Sequence, residues 1–85
     1  MTPFIIERAA YATGRTVEEI TGPCRARPLA WIRFAVMAEM RQQGVSLPKI
    51  ARRLNRHHTT IMSGLLQAEA LSGNPGFEKI RSAIA

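Results

Sequence analysis

The chain has one cysteine, no aspartate and only five aromatic residues in 85 positions. A lone thiol, Cys24, cannot close an internal disulfide, which points to a reducing cytoplasm. Beside Pro23 it reads as an incidental small residue rather than a reactive one. Six glutamates without an aspartate leave little scope for paired-carboxylate catalysis. The only histidines, His57 and His58, are adjacent. On a helix, adjacent side chains diverge by about 100°, so this pair is not expected to chelate one metal ion. Ser63 and His58 lack a third orienting group and an oxyanion site, so no hydrolase is read from them. No apolar run is long enough for a membrane helix, and no basic-then-apolar stretch opens the chain. Met1 reads as a natural start. The expectation is a non-enzymatic protein with no metal, cofactor, membrane or small-molecule substrate.

What is present is helical chemistry and unevenly placed charge. The chain is 46% hydrophobic, enough for a packed core, and Ala, Leu, Ile, Met and Arg favour helix over sheet. Its length suits one small domain, expected over residues 1–85. The formal charge is +6. Residues 1–24 hold Arg8 and Arg15 against Glu7, Glu18 and Glu19, and residues 61–85 balance Lys79 and Arg81 with Glu69 and Glu78. Between them, Arg25, Arg27, Arg33, Arg41, Lys49, Arg52, Arg53 and Arg56 face Glu39 alone. Such a block suits a polyanion, through counterion release on phosphate contact.

Start and stop signals divide the chain into five to six helices. Thr2-Pro3 is an N-cap hydroxyl followed by proline, and Phe4, Ile5, Ile6, Ala9, Ala10 and Tyr11 supply an apolar face before Gly14. Thr16-Val-Glu-Glu19 is a capping box, predicting a short helix to about Thr21 that Gly22-Pro23 ends. A long helix fits Pro28 to about Gln43, with Leu29, Ile32, Ala35, Val36, Met37 and Met40 inward and Trp31 partly covered. Ser46 caps a helix carrying Leu47, Ile50, Ala51 and Leu54. Asn55 follows, one of the few residues that accept a left-handed turn. Another helix starts near His57, with Ile61, Leu65 and Ala68 inward. Asn74-Pro75 opens a last one bearing Phe77, Ile80 and Ile84.

Residues 46–65 have the make-up of a helix-turn-helix. Ala51 is the small residue at the close approach, Asn55 the turn, and Ile50, Leu54 and Ile61 the apolar anchors. The second helix begins Arg56-His57-His58-Thr59-Thr60, a run of donors, acceptors and methyl groups at the helix end that enters the major groove in such readers. A helix N-terminus also favours a nearby phosphate.

Leu47-Pro48-x-Ile50 followed by Arg56-x-His58-Thr59-Thr60-Ile61 resembles the C-terminal duplex-binding domain of the bacterial replication initiator DnaA family, whose signature reads R-D-H-T-T-V. Upstream, Arg25-x-Arg27-x-x-Ala30-x-x-Arg33 is similar to the family's basic loop and long-helix start, and Glu18-Glu19-Ile20 to the short helix before it. The resemblance spans roughly Ala9 to Leu66. It implies an all-α fold, a small Trp-repressor-like bundle containing a helix-turn-helix, with double-stranded DNA as partner in the cytoplasm. It implies that Arg25 enters the minor groove, where a narrow A·T-rich groove attracts guanidinium groups. Pro48, His57, His58 and Thr59 match positions facing base edges. Arg27, Arg33, Arg41, Ser46, Arg56, Thr60 and Ser63 match positions at the DNA backbone. Lys49 is a phosphate candidate on charge alone. The chain departs from the family at His57, where the signature has Asp, so a donor to guanine replaces an acceptor for amino groups. Asn55 stands where the family often has two glycines. There is no G-x-x-x-x-G-K-[ST] loop for an ATPase module. The expected role is a separate initiator-like regulator of replication or transcription. The other reading is an interaction module whose partner or dimer surface comprises Trp31, Phe34, Phe77, Ile80 and Ile84. A lone helix-turn-helix has a small footprint, so a homodimer or clustered sites would serve tight specific binding.

Overall fold

Local capping chemistry sets the helix boundaries. The computed structural model describes residues 2–23 and 26–85, without the side chains of Thr2 and Pro3. The expected Thr2 cap, Cys24 and Arg25 lie outside the described residues. Among those described are six helices and no strand: α1 (Thr2–Thr13), α2 (Val17–Thr21), α3 (Arg27–Gln42), α4 (Leu47–Leu54), α5 (His58–Ala70) and α6 (Pro75–Ile84). Thr16 and Glu19 close the capping box reciprocally: the Glu19 amide donates to Thr16 Oγ1 at 3.0 Å, and the Thr16 amide donates to Glu19 Oε1 at 2.9 Å. Ser46 Oγ accepts from the Lys49 amide, and Asn74 Oδ1 accepts from the Gly76 and Phe77 amides. Helix α3 begins one residue before Pro28, which still lies in the first turn where its missing N–H costs nothing.

The core is built around α3, which packs against α1, α5 and α6 and also meets α2 and α4. Ile5, Ala9, Ile20, Ala35, Val36, Met40, Ile50, Leu54, Ile61, Phe77 and Ile84 are wholly buried. Trp31 is half-buried with its ring edge-on to Phe77, centroids 6.2 Å apart. Gly64 lets α5 approach α3 closely: a Cβ there would collide with Met37 Sδ, inside the core.

Two sequence expectations need correction. Helix α1 buries Ile5, Ile6, Ala9 and Ala10 but leaves Phe4 and Tyr11 exposed, because its contact face is narrower than its apolar run. The C-terminal stripe is not an open partner surface. Phe77 and Ile84 fill the seam where α6 meets α1 and α3, and Ile80 is partly buried against it. Trp31 and Phe34 are likewise packed on the core.

Candidate nucleic-acid interface

Helices α4 and α5 are joined by a three-residue turn, Asn55, Arg56 and His57. Asn55 has φ 57° and ψ 47°, left-handed as expected of the residue that reverses the chain. Around it, the Arg56 amide donates to Ala51 O at 2.9 Å and the Asn55 amide to Arg52 O, satisfying two of the last carbonyls of α4. Ile50, Leu54 and Ile61 anchor the unit in the core, and Ala51 is buried at its base.

His57 is the N-cap of α5, with extended backbone. Its Nδ1 accepts from the Thr59 amide at 3.2 Å and lies 2.8 Å from Thr59 Oγ1. Accepting from that amide requires the ring proton on Nε2, leaving Nε2–H as the donor available to a ligand. Because His57 stands before the helix rather than on it, the expected divergence of the two histidines does not hold. Their rings lie 4.4 Å apart, tilted by 32°. No group of three or more His, Cys, Asp or Glu gathers among the described residues. His57, His58, Thr59, Thr60 and Ser63 are all exposed, as are Pro48 and Lys49 at the start of α4.

Helix α2 is five residues long and cannot satisfy its own C-terminal carbonyls. Two arginines do so. Arg33 donates from Nε to Ile20 O (2.6 Å) and from Nη2 to Glu19 O (2.8 Å) and Gly22 O (3.0 Å). Arg56 donates from Nη1 to Thr21 O and Leu54 O, and from Nη2 to the same Gly22 carbonyl. Positive groups at a helix C-terminus also gain from its dipole. Gly22 is the residue this joint requires: a Cβ there would come within 2.7 Å of the Glu18 carbonyl oxygen. Thr21 and Gly22 are thus pinned to the turn that launches α5. Pro23, Arg33, Asn55, Arg56 and Thr60 border one open concavity between them.

Arg33 was expected at the DNA backbone; it is instead only 5% exposed, with its guanidinium directed onto carbonyls. The signal was in its register. Residues 29, 33, 36, 37 and 40 follow one stripe of α3, so position 33 falls on the face that packs. The other expected backbone residues are spread more widely than the motif suggests. Arg41 is exposed and donates to Val45 O at 3.1 Å across the α3–α4 turn. Arg27 is exposed beside a separate apolar groove lined by Arg15, Trp31 and Ile80. Ser46 is exposed with its hydroxyl on the α4 cap. Arg52, to which the sequence assigned no role, borders a concavity with Arg56 and His57. Its signal was its place one turn before the turn residue. Among the described residues, the two ion pairs are Arg15–Glu19 and Arg81–Glu39, so no carboxylate neutralises Arg27, Arg41, Lys49, Arg52 or Arg53.

A left-handed turn between two short helices, a polar exposed helix start and unneutralised cations around it define a helix-turn-helix DNA-binding module. The family model for the bacterial dnaA protein helix-turn-helix matches residues 3–67, and the chain belongs to that family. It has the helix-turn-helix of the DnaA C-terminal domain, a DNA-binding module. Helix α6 lies beyond the matched residues yet completes the core. No helix among the described residues is long and apolar enough to cross a membrane.

Proposed function

We propose that the chain is a sequence-specific reader of duplex DNA that acts in replication control or transcription, on the nucleoid in the cytoplasm. The N-terminal end of α5 occupies the major groove, presenting His57, His58 and Thr59 to base edges, with Pro48 beside them. Arg25 enters the adjacent minor groove. Lys49, Arg52, Arg41, Arg27, Ser46, Thr60 and Ser63 supply phosphate contacts, which position the domain without reading sequence. Arg33 leaves that set, and Arg56 acts first as a strut.

The observation that carries this reading is the arginine joint on Gly22. A reader that uses two grooves needs its loop and its helix held at a constant separation. Arg33 and Arg56 tie the segment before Arg25 to the α4–α5 turn through shared carbonyls. Binding then requires little ordering at that joint, which would otherwise subtract from affinity.

Titration of a bound duplex against salt tests the assignment. Arg25→Ala and Thr59→Ala are expected to cost about 1–3 kcal/mol and relax specificity, whereas Lys49→Ala and Arg52→Ala should weaken all sequences alike and lower the salt slope by about one each. Weak binding that neither Arg25→Ala nor Thr59→Ala changes would instead favour an interaction module that keeps the fold without reading DNA.

A further inference from the structure

The outward face of α5 continues past the histidines as an apolar seam. Ile61, Gly64 and Ala68 are buried and define the inward direction of the helix. At about 100° per residue, Thr59 and Leu66 point opposite, flanked by Met62 and Ser63 at about 40–60° to either side. Met62 is 49% and Leu66 67% exposed. Positions 58–66 contain no lysine, arginine, asparagine or glutamine, so the face lacks the side chains that grip purines with paired hydrogen bonds. The hydroxyl of Thr59 is engaged with His57 Nδ1, which leaves its γ-methyl as the group on offer.

We infer that Met62 is a specificity-determining residue that reads thymine through its 5-methyl group, extending the contact begun by the Thr59 methyl. The inference rests on the proposed placement of α5 in the major groove. Met62 lies about 4.5 Å along the helix axis from Thr59, comparable to the 3.4 Å step between bases, so it meets a neighbouring base pair. A thioether is long, flexible and polarisable, and fits a methyl-lined groove floor without requiring a hydrogen-bond partner. Leu66 sits about 10 Å from Thr59, close to the full width of a groove of about 12 Å, and so borders the sugar wall rather than the bases. The seam therefore reads at Met62. It is continuous with the reading end of the helix, and this continuity favours DNA over a protein as its occupant.

The test uses the full chain and a duplex enriched from a random pool, with each thymine replaced singly by uracil to remove only the 5-methyl group. One or two replacements beyond those sensed by Thr59 should weaken the wild-type protein about three- to fivefold. Met62→Ala should bind thymine and uracil equally at those positions, while Met62→Leu should keep the discrimination. Circular dichroism would verify that both variants remain folded. Unchanged uracil penalties in Met62→Ala overturn the inference and leave the proposed function standing. So does unaltered DNA binding accompanied by a change in sedimentation, which would assign the face to protein contact. Failure to enrich any duplex overturns both.

Discussion

A guanidinium presents five donors in a rigid fork, and at Arg33 that fork turns inward onto the carbonyls of Glu19, Ile20 and Gly22. Removing it takes the donor from the buried Ile20 carbonyl and the partly buried Glu19 carbonyl at once, so Arg33→Ala should lower unfolding free energy by about 2–4 kcal/mol in a denaturant titration. A phosphate ligand would behave oppositely, leaving stability unchanged and flattening the salt dependence of DNA binding. His57 is a second residue whose two nitrogens have separate tasks, Nδ1 as helix cap and Nε2–H as free donor. His57→Asp retains an N-cap of high preference and exchanges the donor for an acceptor. It should leave the melting temperature level or slightly raised, while the favoured base opposite it changes from guanine to cytosine or adenine, whose amino groups face the major groove. Selection of duplexes with each protein measures that change.

At the scale of elements, the helix-turn-helix depends on a single left-handed residue. Asn55→Gly should be nearly neutral, whereas Asn55→Val should cost about 1–2 kcal/mol because a branched Cβ crowds the following carbonyl; chemical unfolding of both variants compares them. Such turns and caps were legible in the sequence because they are local. Thr16 with Glu19, Ser46, Asn55 and Asn74 each act within a few residues of themselves. The helix-turn-helix and its exposed polar start were legible for the same reason, aided by the family signature. The arginine joint was not, since Arg33 and Arg56 reach carbonyls 11 to 35 residues away and a central charge block reads alike whether its members face in or out. The exposure of Phe4 and Tyr11 was also hidden, because the width of a buried face is set by the helices packed against it.

Over the whole molecule, the roles divide by position. Helices α1, α3 and α6 form the supporting body, and the groups proposed to read DNA stand on α4, α5 and the turn between them. Although the family match stops at residue 67, Phe77 and Ile84 are wholly buried. A chain ending after residue 70 should therefore lose cooperative thermal unfolding, and Phe77→Ala alone should cost about 3–5 kcal/mol, a large share of what a domain of this size possesses. Among the described residues, Arg27, Arg41, Lys49, Arg52 and Arg53 have no carboxylate partner, which suits long-range attraction to a polyanion but does not itself specify sequence. Specificity is the central claim, and selection of bound duplexes from a random pool at physiological salt tests it most directly. One enriched motif related to the family's box is expected, with guanine opposite His57 and an A·T-rich flank for Arg25. A bound pool indistinguishable in sequence from the input would contradict it.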